Sequence, residues 1–167
     1  TMLKYFLSFF LLLLSSISHS NQNSDNHSIK IIFGSCSNQD IPMPHWKHIN
    51  SYKPNYLILL GDNVYGDFKS LDAKNLKSAY SKLNKNKFFL NLRKNTTIYP
   101  IWDDHDYGVN DGGKYWPYKE IAQQLFLDFY NVHENDLRRK RKGIYHSWSI
   151  KNNIKIKVIA LDTRFFK

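Results

Sequence analysis

A short apolar run followed by a polar loop constrains the fold of this chain more than any other part of its sequence. The run Leu57–Leu60 stops at Gly61, and the segment Asp62–Asp67 then supplies carboxylate, amide and phenol oxygens. A run this short, without alternation, is typical of a strand buried on both faces of a parallel sheet. Open α/β sheets bind ligands beyond the carboxyl ends of their strands. Asp62 is therefore expected to be a metal ligand, a general base or a turn former, since Asp is also common in turns.

The rest of the chain alternates predicted strands and helices, which indicates an α/β fold in one compact domain. Further strands are predicted over Ile29–Phe33, Thr96–Trp102, Gly143–Ile150 and Ile154–Leu161. Helices are predicted over Trp46–Tyr52, over Lys114–Val132, and as two helices within Leu71–Leu92 that break near Asn84–Asn86. If the strands that lead into polar residues share one sheet, their ends meet in one crevice lined by Gly34–Ser37, Gly61–Tyr65, Asp103–Asp106 and Asp162–Arg164.

The densest set of ionisable residues follows the predicted strand Thr96–Trp102. Asp103, Asp104 and Asp106 surround His105. Like charges crowded at a strand end raise pKa values and cost stability unless a cation offsets them. A solvated acidic loop is the alternative, but the aromatic residues on either side indicate a partly buried site. The cluster therefore predicts metal binding or catalysis.

The types of ligand restrict the metals that such a crevice can hold. Hard oxygen ligands suit iron(III), calcium, magnesium or manganese, whereas the thiolate of Cys36 and the phenolate of Tyr65 favour iron over calcium at one position. Two adjacent cations can hold a phosphate ester and activate water for an in-line displacement. Cys36 is the only cysteine. It is expected to be either buried and inert, or held as a thiolate by a metal.

The N-terminus predicts an exported protein. Lys4 precedes an apolar run that ends near Ile17, and small polar residues follow up to Ser20. Residues 1–20 are therefore predicted to be a secretory signal peptide, with an uncleaved membrane anchor as the alternative. Residues 21–28 form a polar lead-in, and residues 29–167 form the domain. We expect the protein to be secreted or periplasmic.

The chain is basic, with a formal net charge of +10. Most of its lysines alternate with polar residues and are typical of a solvated helix face. The segment Arg138–Lys142 is denser, and it predicts a basic surface loop, with nucleic acid or an anionic membrane as weaker alternatives. No specific protein partner is predicted.

Four motifs in this order resemble those of the alkaline phosphatase D (PhoD-like) family, a branch of the calcineurin-like metallophosphoesterases. They are Phe33–Ser37, Gly61–Tyr65, Trp102–Asp106 and Leu161–Arg164. The resemblance extends from Ile29 to Lys167. It implies an α/β sandwich that hydrolyses phosphomonoesters or phosphodiesters with a metal-activated hydroxide. It also implies iron(III) and calcium as cofactors, with other divalent cations as alternatives.

The resemblance also implies roles for individual residues. Cys36 and Tyr65 match iron ligands, Asp62 matches a carboxylate shared between metals, and Asp104 matches a ligand of the second metal. His105 matches the histidine that contacts the phosphoryl group and assists the leaving group, and Arg164 is expected to neutralise developing charge. The remaining motif members are expected to support the ligands or contact the substrate: Asn63, Asp103, Asp106 and Asp162.

The sequence departs from the family pattern after Arg164. Such phosphatases complete their metal site with later histidines and aspartates, but only Phe165, Phe166 and Lys167 follow here. We therefore expect the N-terminal half of a metallophosphoesterase-type sandwich, truncated at its C-terminus. The alternative function is an exported, non-catalytic module that binds a metal or an anion.

Overall fold

The computed structural model describes residues 28–151 and 155–167. Strands and helices alternate along the first two thirds of this part, and a hairpin follows. In chain order the elements are β1 (Ile31–Gly34), α1 (Pro44–Ser51), β2 (Tyr56–Leu59), α2 (Lys74–Leu83), α3 (Lys87–Asn95), β3 (Thr97–Pro100), α4 (Asp104–Tyr107), α5 (Lys119–Phe129), a 3-10 turn (Leu137–Arg139), β4 (His146–Lys151) and β5 (Lys155–Ala160).

Three parallel strands form the sheet that positions the polar loops. β2 lies in the centre, with β1 on one side and β3 on the other. Leu57 and Leu59 of β2 are buried, whereas Tyr56 and Ile58 are only half-buried. The prediction of a strand buried on both faces is therefore wrong, because alternate side chains point to opposite faces and those on one face are only half-buried. The α/β fold itself is confirmed.

The helices pack around an aromatic core. α1 contacts α3, and α5 contacts α2 and α4. Trp46 of α1 lies against Phe89 of α3, with ring centroids 5.0 Å apart, and Tyr80 of α2 stacks on Phe129 of α5 at 4.4 Å. The predicted break between α2 and α3 is confirmed, because the side chain of Asn86 caps α3 by accepting hydrogen bonds from two backbone N–H groups.

Strands β4 and β5 form a separate antiparallel pair. The condition that the strand ending at Leu161 shares a sheet with the other three is therefore not met within the described residues. Its end nevertheless reaches the same region. Trp148 of β4 stacks on Tyr99 of β3 at 4.7 Å, and the indole N–H of Trp102 donates to Asp162 Oδ1 at 2.9 Å. Side-chain contacts thus replace the ladder that was expected.

Helix α5 begins later and ends earlier than predicted, at Lys119 and Phe129. Pro117 lies in the turn before it, and Asn131 has a positive φ of 53° after it. The predicted signal peptide, residues 1–20, lies outside the described residues, as does most of the polar lead-in. No helix among the described residues is both long and apolar enough to cross a membrane.

Candidate metal centre

Asp62 lies at the centre of the polar loops, directly after the end of β2. It is 8% exposed, and its Oδ1 accepts a hydrogen bond from the His105 backbone N–H at 3.3 Å. Its Oδ2 lies 3.4 Å from the Tyr65 hydroxyl and 3.7 Å from Cys36 Sγ. One carboxylate therefore contacts groups from all three loops that follow the parallel strands.

Cys36 is exposed, so the expectation of a buried, inert thiol is wrong. The loop that carries it is joined to the loop after β2 by main-chain hydrogen bonds. The Cys36 N–H donates to Gly61 O at 3.2 Å, and the Ser37 N–H donates to Asp62 O at 2.8 Å. These bonds hold the thiol at the edge of the Asp62 site.

The acidic cluster after β3 forms the single helical turn α4, which the sequence did not predict. Its carboxylates lie in the first turn, where the unpaired N–H groups favour negative charge. Asp104 and His105 of this turn meet Asp62, and ligand atoms of the three residues lie within 4.8 Å of one another. Carboxylate and imidazole groups at this spacing could hold a metal ion.

His105 is fixed by contacts on two sides. Its Nδ1 lies 2.7 Å from Asp67 Oδ1, and its ring centroid lies 4.2 Å from that of Tyr65. Burial alone lowers the pKa of His105, but Asp67 and the other nearby carboxylates raise it above the ordinary value. The ring is therefore held in one place and biased towards its protonated form.

The two buried carboxylates of the site differ in their electrostatics. Burial, with the charges of Asp104 and Asp103, raises the pKa of Asp62 above its ordinary value. Burial also opposes ionisation of Asp104, but the Asp111 N–H and Arg164 outweigh it and lower the pKa of that carboxyl. Burial raises the pKa of the Tyr65 phenol, and the charge of Asp62 adds to this effect. A nearby cation would therefore stabilise the ionised forms of both Asp62 and Tyr65.

Arg164 supplies positive charge to the acidic cluster, as the crowding of carboxylates predicts. Its Nε donates to Asp103 Oδ1, and its Nη2 lies 3.6 Å from Asp104 Oδ1. Asp162 holds this segment in place by accepting hydrogen bonds from the backbone N–H groups of Arg164 and Phe165. The guanidinium is only 14% exposed, so it offsets the carboxylates in a partly desolvated setting.

Asp106 and Asn63 lie behind the ligands rather than beside them. Asp106 is fully buried and accepts hydrogen bonds from the backbone N–H groups of Asn63, Val64 and Asp103. Burial raises its pKa to about 7, against the effect of these donors. The Asn63 side chain donates to Ile101 O at 2.9 Å. Both residues connect the loop after β2 with the loop after β3.

Asp67, Asp111 and Gln39 contact the site but were not predicted as members of it. Asp67 lies in the polar segment Asp62–Asp67, and its distance of two residues from Tyr65 was the available signal. The Asp111 N–H donates to Asp104 Oδ2 at 2.6 Å, a contact that no sequence pattern marks. Gln39 follows the Cys36 motif and hydrogen-bonds to the backbone of Tyr65. No sequence pattern distinguishes such a glutamine from an ordinary loop residue.

The predicted residues therefore fall into three groups. The residues around Asp62 are Cys36, Tyr65, Asp104 and His105. The residues that offset the charge of the acidic turn α4 or hold it in place are Asp103, Asp162 and Arg164. The residues buried behind these ligands are Asn63 and Asp106. Their chemical roles stay predictions.

These elements define a parallel α/β sheet with a cluster of potential cation ligands at the carboxyl ends of its strands. The fold is similar to that of a solved structure described as "Structure of PhoD", with a TM-score of 0.65 and 15% sequence identity. The match covers 83% of this chain and 32% of that chain, which agrees with the predicted partial domain. No protein-family model matches the sequence, and no curated protein matches it. The chain therefore has a PhoD-like fold.

Proposed function

We propose that this chain carries part of the active site of an exported metal-dependent phosphoesterase. The observation that carries the proposal is the convergence of Asp62, Asp104 and His105 at the ends of two parallel strands. The PhoD-like fold supports the same reading. This chain spans about a third of the length of that structure. The phosphoesterase activity is therefore proposed for the whole protein.

In this proposal Cys36, Asp62 and Tyr65 hold one cation, and Asp62 and Asp104 hold a second. The donors fit, because a thiol, a phenol and two carboxylates surround a small volume next to Asp62. Iron(III) and calcium are the cations proposed from the family resemblance. When bound, such cations supply Lewis acidity for the hydrolysis of a phosphate ester.

His105 and Arg164 act on the ester itself in this proposal. Since Nδ1 of His105 faces Asp67, its Nε2 is the atom that donates a proton to the departing oxygen of the leaving group. The carboxylates around His105 raise its pKa, which favours the protonated ring. Nη1 of Arg164 makes no hydrogen bond within the described part of the chain and lies 4.0 Å from Asp111 Oδ1. In this proposal the guanidinium stabilises the charge that develops on a phosphoryl oxygen.

The proposal is tested by hydrolysis and by metal retention. The whole protein is expected to release nitrophenol from a nitrophenyl phosphate monoester or diester, and a chelator or His105→Ala is expected to abolish the release. Asp62→Asn is expected to lose bound metal, measured by elemental analysis after dialysis. Asp72→Asn, which changes an exposed carboxylate outside the site, serves as the control for charge.

The outcomes separate the two candidate functions. Metal that is retained without turnover would favour the non-catalytic binding module. Turnover that survives His105→Ala would contradict the proposed mechanism. Absence of metal in the wild type under every loading condition would contradict both functions.

A further inference from the structure

Gln39 holds the backbone of Tyr65 at two points. Its Oε1 accepts a hydrogen bond from the Tyr65 N–H at 2.8 Å, and its Nε2 donates to Tyr65 O at 3.0 Å. The residue is 8% exposed, so water competes little for these bonds. A single side chain therefore pairs with Tyr65 as a neighbouring strand would, using one acceptor and one donor.

The surroundings of Gln39 fix the orientation of its amide. Nε2 also donates to Asp40 Oδ2 at 2.8 Å, and the other oxygen of Asp40 receives the ammonium group of Lys82 in α2. A backbone N–H can only donate and a carbonyl can only accept, so the amide fits Tyr65 in one orientation alone. Glutamate has the same length, but it would place a second carboxylate oxygen against Tyr65 O and next to Asp40.

The two hydrogen bonds between Gln39 and the Tyr65 backbone add to the main-chain hydrogen bonds between the same two loops. Cys36 and Ser37 are joined to Gly61 and Asp62 at the start of the loops, and Gln39 joins them again at Tyr65. Without Gln39, no described hydrogen bond fixes the backbone of Tyr65 to the loop that carries Cys36. The Tyr65 ring, in turn, contacts both Asp62 Oδ2 and the His105 ring.

We propose that Gln39 is a positioning residue that sets the phenol of Tyr65 against Asp62 and His105 in the metal centre. The inference rests on the proposed metal centre, because it assigns to Gln39 the placement of one of its ligands. Residues that orient metal ligands typically change metal affinity by about 10- to 100-fold when they are replaced. An effect of that size is expected from Gln39 although its side chain hydrogen-bonds to the backbone of Tyr65 and to Asp40 rather than to a metal ligand's side chain.

The experiment titrates the chain with ferric iron, supplied as its nitrilotriacetate complex, and records the visible absorption of an iron-bound phenolate. Tyr65→Phe is expected to remove the absorption, which assigns it to Tyr65. Gln39→Glu and Gln39→Ala are each expected to weaken the apparent ferric affinity by about 10- to 100-fold. In the metal-free protein, hydrogen exchange at the Tyr65 amide is expected to be faster in Gln39→Ala.

Gln123 offers a matched control. It is also a buried glutamine, and it bonds to three backbone groups, the carbonyls of Arg138 and Arg141 and the N–H of Gly143. Gln123→Ala is therefore expected to lower stability to urea while leaving the ferric titration unchanged. Equal weakening by Gln123→Ala would overturn the positioning role and assign the effect to general stability.

The remaining outcomes distinguish the role of Gln39 from the existence of the metal centre. An unchanged titration in both Gln39 variants, with a wild-type absorption that Tyr65→Phe removes, would overturn the role of Gln39 and leave the metal centre intact. If the wild type gives no phenolate absorption, Tyr65 is not a ferric ligand, and both the ligand assignment and the role of Gln39 are overturned. If Gln39→Ala does not fold, Gln39→Glu, which keeps the length of the side chain, decides the question.

Discussion

Replacement of Gly61 by alanine tests whether the loops after β2 and β3 need the close approach that the structure gives them. Gly61 has a φ of +111°, a conformation that side chains with a Cβ rarely adopt. A Cβ at this position would lie 2.5 Å from Asp103 Cβ and 2.6 Å from Asp103 N. Since the nearest groups include backbone, rotation of a side chain cannot relieve the contact.

The expected loss of stability has two parts. The backbone conformation costs about 1 to 3 kcal/mol for a residue other than glycine, and the added methyl group costs about 1 to 3 kcal/mol by overpacking. A total of about 2 to 6 kcal/mol is therefore expected, which is a large part of the roughly 5 to 15 kcal/mol that stabilises a typical domain. Relief of this contact requires the backbones of Gly61 and Asp103 to separate, and these residues directly precede Asp62 and Asp104.

Gly34 at the end of the neighbouring strand provides the control. A Cβ on Gly34 would meet no atom within 4 Å, so Gly34→Ala is expected to lie within about 1 kcal/mol of the wild type. Urea unfolding followed by tryptophan fluorescence measures both variants, since Trp46 and Trp102 are buried. Calorimetric metal titration is expected to show weaker binding only in Gly61→Ala. Equal unfolding midpoints for the two variants would refute the reasoning.

Three further predictions concern charge and exposure. Asp136→Asn leaves the guanidinium of Arg138 without its carboxylate. Because the Arg138 side chain is only 8% exposed, the loss of folding stability should be about 3 to 5 kcal/mol. Asp128→Asn removes the 63% exposed partner of Arg139 and should cost about 0 to 1 kcal/mol. The hydrogen bonds from Arg138 lower the pKa of Asp136, so its contribution is present above the ordinary pKa of Asp and disappears as the pH falls. Urea unfolding against pH measures both effects, and equal losses would contradict the burial argument. Asp67→Asn is expected to lower the pKa of His105, read from its ring proton resonances, and an unchanged titration would contradict the contact with Asp67. Cys36→Ser is expected to weaken iron retention and to leave the unfolding midpoint unchanged, because the thiol is exposed; a large loss of stability would show that Cys36 is structural.

The sequence predicts the parallel part of the fold well, because its signals are local. An apolar run that ends in glycine marks β2, and Asn86 marks the start of α3 with its own side chain. The gathering of Cys36, Tyr65 and Asp104 around Asp62 follows from the direction of the parallel strands, since parallel strands place their carboxyl ends at one edge.

The predictions that were wrong concern contacts between residues that are far apart in the sequence. Strands β4 and β5 have the same alternating pattern as a strand within the main sheet. Their place is set by the stacking of Trp148 on Tyr99 and by the hydrogen bond from Trp102 to Asp162. The basic segment was expected to be a surface loop, but Arg138 is buried against Asp136, whereas Lys140 and Lys142 are exposed. Whether this segment meets nucleic acid or an anionic membrane stays a prediction. Pairings of this kind depend on tertiary packing and leave no periodic signal.

The main-chain bonds between the loops after β1 and β2 have an evolutionary consequence. They join Cys36 to Gly61 and Ser37 to Asp62 through N–H and carbonyl groups, and neither bond needs a thiol or a carboxylate. The loop conformation can therefore be kept when the ligand side chains are replaced. Related proteins could then bind a different metal, or none, with the same loop shape. Similar loop shape in another protein is therefore expected to be weaker evidence for the same metal than for the same fold.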